Sequence, residues 1–201
     1  MNRHFALTTP HGTLHGALER PDRPRGLVLV ARVHHGLADS VIAANLAAHG
    51  YAVLSMELLT AQETHFIDAA QNVPRLSQRL LEILDLIRDD GDTQDLPLAL
   101  FATGETTPAA IRVAAQRDIQ VRALACHGGL IDRAGRQALE LLRAPLLMLF
   151  AADDEIDRAA FRRALPYLHA AYEERLLDPG EDAAQRVAAW LRLHLHADDG
   201  E

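Results

Sequence analysis

One stretch decides the fold: Leu96-Pro97-Leu98-Ala99-Leu100-Phe101-Ala102-Thr103-Gly104-Glu105-Thr106-Thr107-Pro108. Its apolar run is short and unbroken, which is typical of a strand that is buried on both faces. Thr106 and Thr107 are suited to a helix N-cap, and Pro108 is suited to the first helical turn. The stretch therefore predicts a buried strand at 97–102 and a helix at 108–117.

The same pattern recurs on both sides of this stretch. Apolar runs predict further buried strands at 27–31, 51–56, 121–126 and 145–151, with a short one at 175–177. Helices are predicted between them at 39–49, 74–89, 133–142, 157–168 and 181–194. Asp39 or Ser40 is the predicted N-cap of the first helix, and Gly50 follows its end.

The chain begins with a different pattern, in which residues 5–8 and 13–19 flank the turn signal Pro10-His11-Gly12 and predict an antiparallel hairpin. Strands that alternate with helices predict a parallel sheet with helices on both faces. We therefore expect an α/β fold with three α/β/α layers, a mostly parallel sheet and this hairpin at its edge. We expect a single domain over 1–201, with 197–201 as a frayed acidic tail.

Charge and composition exclude several function classes. The 201 residues include 20 basic and 28 acidic side chains, all the basic ones are Arg, and the formal net charge is −8. Such a chain is poorly suited to nucleic acid or anionic membranes, and without Lys it has neither Schiff-base nor P-loop chemistry. No apolar run is long enough for a membrane span, and no signal peptide is evident. With a single cysteine, Cys126, a cytoplasmic location is expected.

A site is expected where the parallel strands end, because ligands in open α/β sheets bind outside the carboxyl ends of the strands. The residues that follow successive predicted strands combine histidines, carboxylates and glycines. They are His34, His35, Gly36, Glu57, Thr103, Gly104, Glu105, His127, Asp153 and Asp154. We predict that these residues line one pocket.

Several segments resemble the α/β-hydrolase fold and, more narrowly, the dienelactone-hydrolase group. They are GYAVL at 50–54, MELLT at 56–60, LPLALFA at 96–102, HGGLID at 127–132, and RAPLLM at 143–148 with Asp153-Asp154 after it. The resemblance covers nearly the whole chain and implies an α/β-hydrolase scaffold without a lid. It indicates fold rather than activity.

The catalytic residues of that family do not carry over. The family requires a Ser at the centre of a G-x-S-x-G elbow, and Gly104 stands at that position here. The only three Ser residues, Ser40, Ser55 and Ser77, lie elsewhere. The segment 174–182, where the family's triad His belongs, contains no His. The triad acid remains as Asp154, or as Asp153 in a shifted register.

Three alternative roles remain open for site residues. Glu105 is either a carboxylate nucleophile or a first-turn Glu favoured by the helix dipole. His34, His35, Glu57 and His127 are either metal ligands or hydrogen-bonded loop side chains. Cys126 beside His127 is either a nucleophile or a buried apolar residue.

The prediction for function is a catalytically degenerate α/β-hydrolase-fold protein, a pseudoenzyme that binds a small molecule or a protein partner. No cofactor is expected. The alternative is a dienelactone-hydrolase or esterase type of hydrolase with a non-standard or metal-assisted site in the same pocket. Serine-hydrolase activity is predicted to be absent in either case.

Overall fold

The computed structural model describes residues 1–33 and 37–195 and contains one eight-stranded sheet. Its strands are β1 (Asn2–Thr9), β2 (Gly12–Glu19), β3 (Leu27–Arg32), β4 (Ala52–Glu57), β5 (Leu98–Thr103), β6 (Val121–His127), β7 (Leu146–Ala151) and β8 (Tyr172–Leu177). The spatial order is β1-β2-β4-β3-β5-β6-β7-β8. β1 and β2 form the predicted antiparallel hairpin, β2 pairs antiparallel with β4, and all other pairs are parallel.

In the described part of the chain, six α-helices cover the two faces of the sheet. They are α1 (Leu37–Ala48), α2 (Val73–Asp89), α3 (Thr107–Gln116), α4 (Arg136–Leu141), α5 (Glu155–Ala164) and α6 (Ala183–His194). One apolar cluster packs α2, α3, α4 and α5 against one face, and a second packs α1 and α6 against the other. Alternate residues of each central strand enter opposite clusters, which explains why these strands are apolar without interruption. The predicted three-layer architecture is confirmed.

The structure corrects several predicted boundaries. The first helix begins at Leu37, so the predicted N-caps Asp39 and Ser40 lie inside it. The predicted helix at 133–142 is a 3₁₀ turn followed by α4, because Gly135 interrupts it with a φ of +89°. The helix predicted at 157–168 runs from 155 to 164, and a 3₁₀ turn containing Pro166 follows it. The short strand predicted at 175–177 is the six-residue β8.

The strand order places a topological switch point at β3 and β5. β3 lies between β4 and β5, and the chain passes from β3 to α1 on one face but from β5 to α3 on the other. The carboxyl ends of the strands at such a point are the usual ligand position in open α/β sheets. Within the described residues, no helix is long and apolar enough to cross a membrane.

Candidate functional site

The turn from β5 into α3 is built around Gly104. Its φ of +50° lies in the left-handed region, which costs an L side chain energy but is free for glycine. A Cβ added at Gly104 would meet no heavy atom of the described residues within 4 Å. The hydroxyl of Thr106 accepts a hydrogen bond from the Thr103 amide at 3.0 Å and donates to the Thr103 carbonyl at 2.9 Å. These bonds close a tight turn that has a glycine at its centre.

A second glycine turn, Gly128-Gly129 after β6, packs against the first. Both residues have positive φ, and a Cβ on Gly129 would lie 2.3 Å from the Gly104 carbonyl oxygen. Only glycine allows the two backbones to approach this closely. The Thr107 hydroxyl donates to the Gly128 carbonyl at 2.9 Å and joins the second turn to the start of α3.

Acidic groups from the end of β7 and from α5 meet the second turn. Asp157 Oδ2 accepts a hydrogen bond from the Gly129 amide at 2.6 Å. A Cβ on Gly128 would lie 2.8 Å from Asp157 Oδ2 and 3.3 Å from Asp154 Oδ2, so both carboxylates flank this glycine. Burial raises the pKa of Asp154, and the negative charges of Asp157 and Asp153 add to the increase, while His127 opposes it.

A cavity of about 260 Å³ opens beside the Gly104 turn. Its lining residues are Gln71, Gly104, Glu105, Pro108, Gly129, Leu130, Arg133, Ile156 and Asp157. Arg133 Nη2 donates to the Gln71 carbonyl at 3.1 Å, which ties the loop before α2 to the wall of the cavity. Ile156 is 74% exposed at the rim. The cavity thus combines two carboxylates and one guanidinium with apolar walls.

The structure brings only some of the predicted site residues to this cavity. Gly104 and Glu105 line it, and Glu105 lies in the 3₁₀ turn Gly104–Thr106 that precedes α3, one turn before the helix in which it was expected. Thr103 and His127 are register partners on β5 and β6, and Asp154 lies near His127. Glu57 lies farther along the sheet, in register with Arg32 of β3. The predicted residues His34, His35 and Gly36 lie outside the described residues.

A metal centre is not formed by the described part of the site. Over 1–33 and 37–195, no three His, Cys, Asp or Glu side chains are grouped so as to hold a metal ion. The proposed ligands Glu57 and His127 lie on strands separated by β3 and β5. The two histidines of the same hypothesis, His34 and His35, are outside the described residues.

The other candidate nucleophiles are not part of the turn. Ser55 is inside β4 and buried, and the Ser77 hydroxyl donates to the Val73 carbonyl at 2.8 Å within α2. Ser40 is in α1. Cys126 is fully buried, and burial raises the pKa of its thiol to about 12. A thiol with this pKa is inert at neutral pH, so the structure supports the packing role of Cys126.

An ion-pair cluster that the sequence analysis missed fixes the loop after β4. Glu63 and Arg79 are buried, with exposures of 8% and 3%, and they form a two-point ion pair. Arg79 Nη1 lies 2.7 Å from Glu63 Oε2, and Arg79 Nη2 lies 2.8 Å from Glu63 Oε1. The Thr60 amide and hydroxyl each donate to Glu63 Oε2 at 3.0 Å, and Arg75 donates to Oε1 at 3.0 Å. Burial acts to raise the pKa of Glu63, but the bonds from Arg79 and Thr60 outweigh it and lower the pKa to about 2.

Solved structures show the same architecture. Dienelactone hydrolase from Anabaena variabilis superposes with a TM-score of 0.88 and 26% identity, over 98% of this chain and 99% of that chain. The chain has the α/β-hydrolase fold. A cold-adapted esterase from an Arctic intertidal metagenomic library matches this fold with a TM-score of 0.75 and 16% identity, over 96% of this chain and 94% of that one. The predicted resemblance to dienelactone hydrolase is confirmed.

Curated relatives match a smaller part of this α/β-hydrolase-fold chain. Two Mycobacterium tuberculosis proteins that bear a phosphoribosyl transferase name, from strains CDC 1551 and H37Rv, are each 30% identical over 145 residues. The match covers 70% of this chain, and the chain spans about a third of the length of these relatives. No family model matches the chain.

Proposed function

We propose that this α/β-hydrolase-fold protein is a non-catalytic binding protein whose site is the cavity beside Gly104. The observation that carries the proposal is the geometry of the turn between β5 and α3. In an α/β-hydrolase, this strand-to-helix turn holds the nucleophile with its side chain exposed. Here the turn keeps its left-handed backbone, while the residue at its centre has no side chain and its Cβ position is clear of every described residue.

The loop in which the catalytic histidine of the fold is expected supports the same proposal. In the fold, the triad His follows the last strand and takes the proton of the nucleophile. Between β8 and α6 this chain has Asp178-Pro179-Gly180-Glu181-Asp182, a loop without any imidazole. Asp154 after β7 therefore has no histidine from this loop to orient.

The cavity favours a small polar ligand. Its volume of about 260 Å³ is slightly below the usual range of small-molecule sites, which begins near 300 Å³. Glu105 and Asp157 contribute two negative charges to its wall against one positive charge from Arg133. Above pH 7 a cationic or neutral polar ligand is therefore favoured over an anion. Alternatively, the ligand is a protein that inserts one side chain into the same cavity.

A hydrolase with a non-standard group in the same pocket is the alternative, and one observation favours it. The pKa of Asp154 is raised by burial and by neighbouring carboxylates, and a carboxyl that holds its proton longer is suited to general acid catalysis. Since a covalent route would still require a nucleophile and a base, this observation supports at most a water-mediated reaction.

One pair of measurements separates the two functions. A panel of esters and lactones is assayed with and without added Zn²⁺, Mn²⁺ or chelator, and serine-directed phosphonates are tested for labelling. The same protein is screened by thermal shift against small amines, amides and carboxylic acids. The binding proposal expects no turnover, no labelled Ser and stabilisation by amines or amides. Turnover that depends on added metal, or on Asp154 alone, would establish the alternative.

The location of binding is tested by mapping chemical shifts with any stabilising compound. We expect the largest changes at Gly104, Glu105, Gly129 and Asp157, with Gly180 as an internal reference outside the cavity. Gly129→Ala is not a useful blocking variant, because its Cβ would collide with the Gly104 carbonyl. Glu105→Gln keeps the size of the side chain and should weaken binding of a cation but not of a neutral amide. A compound that shifts only the outer helices or the opposite end of the sheet contradicts the proposal.

Phosphoribosyl transfer is not proposed for this chain. The relatives that bear this name are about three times longer than the segment that they share with it. The acidic groups Glu105, Asp154 and Asp157 would also repel a pyrophosphate. If the ligand is a protein, the name of these relatives makes a phosphoribosyl transferase one partner to test, and co-purification is the test. A cytoplasmic location, which fractionation would check, stays a prediction that accompanies this proposal.

A further inference from the structure

The outer edge of β8 has the hydrogen-bonding groups needed for another strand. β8 pairs with β7 on one side, and no described strand pairs with its other side. The Leu146 amide donates to the Ala171 carbonyl at 2.9 Å, so residues 171, 173 and 175 direct their backbone groups towards β7. The alternate residues Tyr172, Glu174 and Leu176 therefore direct theirs outward. Such an edge is a template for strand addition.

The side chains along this edge complement a second copy of themselves. We propose that two copies of this chain pair through β8 in an antiparallel ladder centred on Glu174. In this register Glu173 lies opposite the partner's Arg175, and Tyr172 lies opposite the partner's Leu176. Each of these contacts occurs twice because of the two-fold axis, as an isologous interface requires.

The ion pairs of this ladder form on the face that α6 covers. Arg175 Nε lies 2.7 Å from Glu173 Oε1 within one strand, so both charged ends already stand together at the exposed edge. Residues 173 and 175 form the non-hydrogen-bonded pairs of the proposed ladder, in which cross-strand side chains approach most closely. Arg175 and Glu173 can therefore exchange their intrastrand partners for those of the second copy.

The apolar contacts form on the opposite face, beside α5. Tyr172 packs edge-on against Phe161, with ring centroids 5.6 Å apart, yet remains 50% exposed. Leu176 on the same face is 48% exposed. Pairing buries both side chains against one another, and aromatic–aliphatic cross-strand pairs stabilise antiparallel ladders.

The centre of the ladder places Glu174 opposite the partner's Glu174, and Arg158 offsets this repulsion. Arg158 Nε lies 3.9 Å from Glu174 Oε1 and is buried, without a hydrogen bond to any described residue. At the two-fold axis, the two Arg158 side chains of the dimer therefore lie beside the two Glu174 carboxylates and reduce their repulsion. Registers shifted by two residues are worse, because they place Arg175 opposite Arg175 or Glu173 opposite Glu173.

The test uses two charge-reversal variants. Each variant alone makes the cross-strand charge pairs of a homodimer repulsive, whereas a mixture of the two variants makes them attractive again. Glu173→Arg places arginines opposite arginines, and Arg175→Glu places glutamates opposite glutamates. We expect the wild type to show a dimer mass by sedimentation, and each variant alone to dimerise at least about tenfold more weakly, given two altered pairs per interface. Mixed in equal amounts, the two variants should form a heterodimer, because both cross-strand pairs become attractive.

Matched controls keep the result interpretable. Arg136→Glu on α4 changes the same charge at an exposed ion pair outside β8 and should leave the dimer intact. Circular dichroism checks that each variant is folded, and Leu176→Asp tests the apolar face independently. A monomeric wild type, a dimer that ignores both reversals, or variants that fail to combine in the mixture would each overturn the proposal.

Discussion

Two carboxylates follow strands at the same end of the sheet, and their surroundings are opposite. Glu63, in the loop after β4, receives hydrogen bonds from Arg79, Arg75 and Thr60, and its pKa falls to about 2. Asp154, after β7, is partly buried beside Asp157 and Asp153, and its pKa rises. Hydrogen bonds favour the ionised form of Glu63, whereas burial and neighbouring negative charges disfavour the ionised form of Asp154.

The difference indicates which region holds the fold together and which is available for binding. Buried charges are normally paired, and a site that keeps like charges together gives up stability. The satisfied cluster at Glu63 fixes the loop whose end contributes Gln71 to the cavity. The strained cluster borders the glycine turns beside the same cavity. Substitutions at Glu63 and Arg79 remove the ion pairs of the first region, and Asp154→Asn removes a like charge from the second.

The largest effect is expected from Arg79→Met. This change leaves the Glu63 carboxylate buried without its main counter-charge, and breaking a buried pair from one side costs about 3–5 kcal/mol. The free energy of unfolding in urea measures the loss. Arg75→Met is the matched control, because Arg75 bonds the same carboxylate from an exposed position and should cost below about 1 kcal/mol.

A double variant checks this explanation. Glu63→Leu with Arg79→Met removes both charges and should recover most of the stability, since apolar replacements of buried pairs are often neutral or stabilising. If the double variant is as unstable as Arg79→Met, the loss arises from packing of the arginine stem and not from an unpaired charge.

The second prediction is a loss of stability in acid that depends on Glu63. Its pKa is about 2 when folded against an ordinary 4.5, so its contribution is complete above pH 4.5 and disappears as the pH falls towards 2. The shift corresponds to about 3 kcal/mol. Unfolding free energies measured from pH 6 to pH 2 should show this decline in the wild type. In Glu63→Gln the same decline should be absent, and an unchanged decline would assign it to other carboxylates.

The third prediction concerns the glycine at the centre of the elbow. Gly104→Ser should cost about 1 kcal/mol, because a side chain at a φ of +50° is strained even where it meets no described residue. It should give no esterase burst, since the loop between β8 and α6, where the triad histidine of the fold belongs, contains no histidine. Gly180→Ser is the matched control, because Gly180 also has positive φ and open space but lies outside the cavity. Burst kinetics in Gly104→Ser would show that an imidazole such as His127 already acts as a base.

The sequence predicts the scaffold better than the site. Apolar runs and glycine positions are local signals, so the strands, the hairpin and the left-handed turn at Gly104 follow from them. The cavity does not, because Gln71, Arg133 and Asp157 come from three segments that only tertiary packing brings together. One missed signal was available: Arg79 falls on the apolar stripe of the 74–89 helix, between Leu76 and Leu80. A charge at such a position predicts a buried partner.

The smallest effect is expected from Asp154→Asn, which should stabilise the protein, whereas the other substitutions should destabilise it. Because the folded state raises the pKa of Asp154, the ionised carboxylate costs stability at neutral pH, and this cost disappears below the ordinary value of 3.8, where the group is protonated in both states. Asp154→Asn should therefore raise Tm at pH 7 by a few degrees at most, since about 1 kcal/mol corresponds to 2–4 °C in a chain of this size. The gain over the wild type should shrink as the pH falls towards 3.8 and should be lost below it. Asp153→Asn removes an exposed neighbouring charge and should produce a weaker version of the same change. A lower Tm for Asp154→Asn at pH 7 would mean that the carboxylate makes a stabilising contact with His127 that outweighs the repulsion from Asp157, and the contrast with Glu63 would then be lost.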